Sequence, residues 1–182
     1  MDSRKQLDLG SGSQPRQQDG YEAVGVDIAP NDNPLVKLAD FALQPLPYPD
    51  DSFDLVTAFD VLEHIPKVIY MQLPGATGQV ISRRNCLIEL FNEVYRVLKD
   101  GGEFFFALPK AGTTQYWGDP THISEWCEDS VNYYSGDYFG HHDTYGHTSK
   151  FQKVSVDVDP QFSWRMSVRL RAVKPAGEPY NV

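Results

Sequence analysis

Leu7-Asp8-Leu9-Gly10-Ser11-Gly12, with Val26-Asp27 following it so that Asp27 stands fifteen residues after Gly12, is the stretch on which the reading of this chain turns. An apolar strand runs into a turn of small residues, and a second apolar strand ends on an acid. Glycine at a strand end removes the Cβ, so backbone can lie against a ligand, and an acid at the tip of the next strand can accept two hydrogen bonds from ribose hydroxyls. The pair predicts a nucleoside-binding α/β domain.

Working outward, strand and helix signals alternate. Gln6 to Leu9 reads as the first strand, Tyr21 to Ile28 as the second, Leu35 to Ala39 as a short third and Phe53 to Phe59 as the fourth, after a turn cluster from Pro47 to Ser52. From Cys86 to Lys99, Leu87, Leu90, Phe91, Val94, Val97 and Leu98 recur at three- and four-residue steps, which predicts an amphipathic helix ended by Asp100-Gly101-Gly102. Glu103 to Leu108 then supplies a fifth strand. Beyond a polar, aromatic stretch come two alternating strands around Asp159-Pro160. The last carries Phe162, Trp164, Met166, Val168 and Leu170 on one face and Ser163, Arg165, Ser167, Arg169 and Arg171 on the other. The expected fold is α/β, a Rossmann-like, doubly wound, mostly parallel sheet with a C-terminal antiparallel hairpin.

The chain of 182 residues is read as one domain, 1–182. No apolar run approaches the roughly 18 residues of a membrane span, and the first residues lack a secretory pattern. The two cysteines, Cys86 and Cys127, form neither a disulfide framework nor a zinc knuckle, which fits a cytoplasmic protein. A net charge of -9 argues against a polynucleotide partner for the surface as a whole.

Five separated elements, in order, resemble the class I S-adenosylmethionine-dependent methyltransferases, in the small-molecule branch of that family. They are Asp8-x-Gly10-x-Gly12, then Val26-Asp27, then Ala39-Asp40-Phe41. Leu46 to Val56 follows, with Val61-Leu62-Glu63-His64-Ile65 behind it, and Glu93 to Gly102 completes the set. The resemblance runs from about Lys5 to the end and implies S-adenosylmethionine as cofactor. It implies that Asp8, Gly10, Ser11 and Gly12 form the turn at the methionine end. Asp27 would hold the ribose and Asp40 and Phe41 the adenine, with Ile28 also in the cofactor site and Phe59 and Asp60 completing it after strand four. Asp8 is open between direct contact and support of the turn.

Two departures stand out. Gln14 occupies the place of the family's usual third glycine, and only eight residues, Pro15 among them, separate Gly12 from the second strand. That leaves room for at most about two helical turns, similar to a short-first-helix variant of the family. A dinucleotide fold would need glycine where Pro15 stands, in Gly-x-Gly-x-x-Gly.

Methyl transfer from a sulfonium is an in-line displacement, so the protein mainly aligns the nucleophile and excludes water, and a base is needed only for a hydroxyl or protonated amine. Asp119-Pro120-Thr121-His122, like an element that recurs in the resembled branch, offers His122 as that base and Asp119 to orient it, with His64 as a further catalytic candidate. The structural reading is that His122 donates to a backbone carbonyl and fixes its loop, and that Glu63 and His64 merely open a helix whose dipole favours an acid. His141, His142, Asp143 and His147 could be metal ligands by type, but adjacent histidines point apart and no cysteine is near, so no metal is assigned. Residues 67–85 and 110–149 are the expected lid and acceptor region. The arginines of the last strand read as a solvated face, with holding a phosphate or carboxylate of the acceptor as the alternative. The expected function is transfer of a methyl group to a small or medium acceptor, a sugar or nucleotide-sugar hydroxyl first. The partner is then a small molecule, not a membrane or a nucleic acid. The amino-methylating DNA enzymes' Asn-Pro-Pro-Tyr motif is missing where Phe59-Asp60-Val61-Leu62 stands. The alternative is a non-catalytic S-adenosylmethionine-binding subunit or regulatory module.

Overall fold

β1 (Arg4–Leu9) organises the molecule because its two faces differ. Leu7 and Leu9 are buried in the hydrocarbon core, while Gln6 and Asp8 are equally buried but polar. In the computed structural model, which describes residues 3–71, 82–135 and 142–175, every one of those polar groups is matched. Gln6 donates from Nε2 to Arg16 O (2.7 Å) and Thr57 Oγ1 (3.0 Å) and accepts from Gln18 N (2.8 Å). Asp8 accepts from Arg16 N (2.8 Å) and Thr57 Oγ1 (2.7 Å). The segment between Gly12 and β2 (Tyr21–Asp27) is therefore laced to β1 as a loop, and no helical turn forms there. Pro15 interrupts the segment and Gly12, Ser13 and Gly20 bound it, which disfavours a helix, and the side chains of β1 supply the hydrogen bonds that a helix would have made for itself.

β3 (Val36–Leu38) and β4 (Phe53–Phe59) follow, the latter with the bounds read from sequence. β5 (Ile69–Met71) and β6 (Ser82–Arg84) pair as a separate antiparallel ribbon. The ribbon is the stem of the expected lid, and residues 72–81 of that insert lie outside the described residues. Helix α1 (Cys86–Val97) buries Leu87, Leu90, Phe91, Val94 and Val97, and Phe91 is its hub, with ring centroids 4.2 Å from Tyr134 and 5.4 Å from Phe104. The helix stops at Val97, earlier than the glycine signal, because Leu98 already pairs with Phe53 as the first residue of β7 (Leu98–Pro109). Gly101, at φ +73°, instead serves an irregularity within the strand pair.

After the short α2 (Thr114–Trp117), a 3-10 segment at Glu128–Tyr133 and α3 (His142–Tyr145), β8 (Phe151–Val158) and β9 (Arg165–Ala172) close the sheet. Asp159 shapes their connection by accepting from Gln161 N and Phe162 N. The apolar face of β9 starts at Met166; Phe162 is exposed. Its arginines are ion-paired, not free: Arg169 and Arg171 grip Glu103, and Arg165 forks onto Asp60 at 2.9 and 3.1 Å. Burial pushes the Glu103 carboxyl up, but the two guanidiniums outweigh it and hold it below its ordinary value.

The sheet order is β3-β2-β1-β4-β7-β9-β8, parallel up to β7 and antiparallel at β7–β9 and β9–β8. This is the Rossmann-like, mostly parallel α/β sheet with an antiparallel C-terminal pair. The strand order reverses between β1 and β4, and the crevice that such sheets use for ligands lies at the carboxyl ends of those strands. No described helix is long and apolar enough to cross a membrane.

Candidate active site

The turn after β1 is forced by space. Gly10 has φ +64°, its N–H donates to Val26 O (2.9 Å), and a Cβ built on it would stand 2.4 Å from Val61 Cγ2. Gly12 N then donates to Asp27 Oδ2 (2.8 Å), while Ala29 N donates to Asp27 Oδ1 (2.7 Å). Two backbone amides thus fix the Asp27 carboxylate, and each oxygen keeps a lone pair for a ligand. Asp40 is anchored likewise, its Oδ1 accepting from Ala42 N (3.1 Å).

Gly10, Asp27, Ile28, Asp40, Phe41 and His64 line one cleft of about 540 Å³, within the range of cofactor sites. Other residues expected there lie elsewhere. Asp8 is buried beneath the turn, where burial raises its pKa against the pull of Arg16 N–H and Thr57, so its geometry is that of a support. Ser11 and Gly12 belong to the turn but not to the lining. Phe59 packs on the Phe105 ring, with the Arg16 guanidinium 4.6 Å from its centroid. Asp60, in left-handed backbone at φ 56°, is taken up by Arg165.

Beyond β4 the chain makes a single 3-10 turn, Leu62–His64, too short for the dipole argument. Glu63 is fully buried, and neither carboxylate oxygen has a hydrogen-bond partner. Burial, opposed by its own backbone N–H and reinforced by the Asp60 and Asp119 charges, raises its pKa to about 7. Its backbone carbonyl accepts from Ile123 N (2.8 Å) and Ser124 N (2.9 Å), which docks the loop that carries His122. His122 Nε2 lies 4.0 Å from Glu63 Oε1 and 3.7 Å from Asp119 Oδ2, and the His64 and His122 rings meet edge to face at 4.8 Å.

The group that orients His122 is the Tyr116 carbonyl, to which Nδ1 donates at 2.8 Å; Asp119 stands at the other nitrogen. The expected carbonyl contact therefore exists, and it leaves Nε2 as the nitrogen with a lone pair. His64 Nδ1 is engaged by Thr121 O (3.2 Å) and Oγ1 (3.0 Å). Thr121 in turn donates from Oγ1 (2.6 Å) and N (2.8 Å) to Asp119, which keeps that carboxyl below its usual range. Glu63 is the site residue that sequence reasoning passed over. Its signal was an acid inside the apolar frame Val61, Leu62 and Ile65, all three buried.

In the histidine tract, His141 and the side chains of His142 and Asp143 lie outside the described residues, while His147 is buried beside the Tyr134 ring.

The fold and this cleft together define an α/β protein with an open crevice at the carboxyl ends of its central parallel strands. The methyltransferase-domain family model matches residues 2–152, and the chain belongs to that family, consistent with the class I S-adenosylmethionine-dependent methyltransferases. No curated protein sequence matches the chain. Among solved structures, a chain of the complex containing the Haloferax volcanii Trm112 methyltransferase activator is similar at TM-score 0.60 and 14% identity, covering 95% of this chain and 84% of that one. A SAM-dependent methyltransferase from Archaeoglobus fulgidus is similar at 0.56 and 16%, covering 93% and 86%. The N-methyltransferase NodS from Bradyrhizobium japonicum is similar at 0.56 and 12%, covering 94% and 87%.

Proposed function

We propose that this chain moves a methyl group from S-adenosylmethionine to a small or medium-sized acceptor, a sugar or nucleotide-sugar hydroxyl being the class it suits. One observation carries the reading: His64, a member of the Glu63–His122 cluster, lines the same cleft as Asp27 and Asp40. The residues present fit the cofactor. Asp27 offers lone pairs to ribose hydroxyls, Asp40 an acceptor near the base, and Ile28 and Phe41 apolar surface for a flat ring. S-adenosylmethionine carries no phosphate, so the missing helix start after Gly12 is no obstacle.

When bound, that cofactor supplies a methyl carbon already activated for displacement. The chain's own residues then have to align the acceptor, exclude water and take its proton. His64 lines the cleft and offers a lone pair for this step with Glu63 and His122 behind it, and the β5–β6 ribbon, which contributes Ile69 to the lining, is the candidate cover. Incubation with methyl-labelled S-adenosylmethionine and a panel of sugars and nucleotide sugars tests the reading. Label in a hydroxylated product is the expected result. Binding of S-adenosylhomocysteine with no transfer to any member of the panel would overturn the acceptor class.

A further inference from the structure

Glu63, His64 and His122 each offer one ligand atom, and these atoms lie within 4.8 Å of one another. Glu63 makes the arrangement unusual. Buried carboxylates in folded proteins are nearly always paired or hydrogen-bonded, and here both oxygens are enclosed without a partner. The two imidazoles beside it are held as metal-bound imidazoles are, each with one nitrogen engaged by a backbone carbonyl, which fixes the ring and frees the other nitrogen.

We infer that this cluster is a binding site for a divalent first-row transition ion, held by a Glu63 carboxylate oxygen, His122 Nε2 and an imidazole nitrogen of His64. Two nitrogen donors and one carboxylate suit Zn²⁺, Fe²⁺, Mn²⁺ or Co²⁺, whereas Mg²⁺ favours an all-oxygen shell. Asp119, whose Oδ2 lies 3.7 Å from His122 Nε2, is within reach as a fourth ligand. Donors about 2.1 Å from one ion stand about 3 to 3.5 Å apart, so the side chains must draw together by about 1 Å on binding. The backbone needs no large change, because Ile123 N and Ser124 N already clamp the His122 loop to the Glu63 carbonyl. Three protein donors leave positions open for oxygen atoms of an acceptor. This role rests on the methyl-transfer reading; the binding itself does not.

Co²⁺ titration of the full chain after chelator treatment tests the site. The expected result is a visible d–d absorption that saturates at a single equivalent, is displaced by Zn²⁺ and is indifferent to Mg²⁺. Glu63→Gln and His122→Asn should each weaken Co²⁺ binding by at least about 100-fold. Zn²⁺ should raise the melting temperature of the parent and not of the variants, and melting in chelator shows that the variants fold. His64→Gln, at a less buried position, gives the same readout if Glu63→Gln does not fold. A parent chain without the absorption at millimolar Co²⁺, or variants that bind Co²⁺ as tightly as the parent, would overturn the site. Calorimetry with S-adenosylhomocysteine separates the two readings. Co²⁺ binding without it keeps the ion site and removes the cofactor, and the reverse removes the ion site alone.

Discussion

Asp8 and Glu63 are two buried acids near the carboxyl ends of neighbouring central strands, and their surroundings are opposite. Asp8 is met by the Arg16 amide and the Thr57 hydroxyl, and the Arg16 charge lies near. Neither Glu63 oxygen has a hydrogen-bond partner, His122 Nε2 standing off at 4.0 Å, and burial takes the carboxyl to about 7. A satisfied buried acid stabilises the chain around it. An unsatisfied one costs the fold free energy, and the proposed site is where a ligand or a proton would offset that cost.

The most severe test of that contrast is His122→Asn. If the Glu63 cluster handles the acceptor's proton, turnover should fall by about two to four orders of magnitude while affinity for S-adenosylhomocysteine stays nearly intact. Equal turnover would make the cluster as structural as Asp8. Next comes the pH dependence of stability in chelator-treated protein. The Glu63 pKa is raised in the fold from 4.5 to about 7, so between those values the folded chain binds more protons than the unfolded chain. Stability therefore falls as pH rises through that window, by about 3 kcal/mol once it is passed. Denaturant unfolding of parent and Glu63→Gln at pH 5 and pH 8 should show the loss in the parent only; parallel profiles would mean that Glu63 is paired.

Asp8→Ala should lower stability by about 2 kcal/mol, because the Arg16 amide and Thr57 hydroxyl lose their acceptor. A neutral result would dissolve the contrast from the other side. The smallest expected effect belongs to the cleft itself. Asp27→Ala should weaken S-adenosylhomocysteine binding by about tenfold or more in calorimetry, and unchanged affinity would take Asp27 out of the site.

Local patterns made most of the fold legible. Strict alternation marked β9, three- and four-residue spacing marked α1, and the order of motifs assigned Asp27 and Asp40 to one site, where the fold has both line one cleft; that His64 lines it too was not legible. What remained hidden depends on contacts between distant segments. Nothing near residues 13–20 says that Gln6 and Asp8 will satisfy their backbone. Nothing near Arg165 names Asp60, 105 residues away. The Glu63 cluster needs a turn after β4 and a loop after β7 to meet, and sequence spacing cannot report that meeting. The long Leu98–Pro109 strand was obscured for a different reason: its glycine pair reads as a helix stop, while pairing with Phe53 decides the matter earlier.

The polar face of β1 also protects the alignment of the sheet. Slipping this strand by one residue would turn Leu7 and Leu9 toward the polar loop and drive Gln6 and Asp8 into the hydrocarbon. Most half-buried strands are penalised for such a slip on one face only; this one is penalised on both. The misaligned sheet is thus discriminated against twice, and the Gly10–Gly12 turn comes to rest at one height along the sheet edge, level with the end of β2.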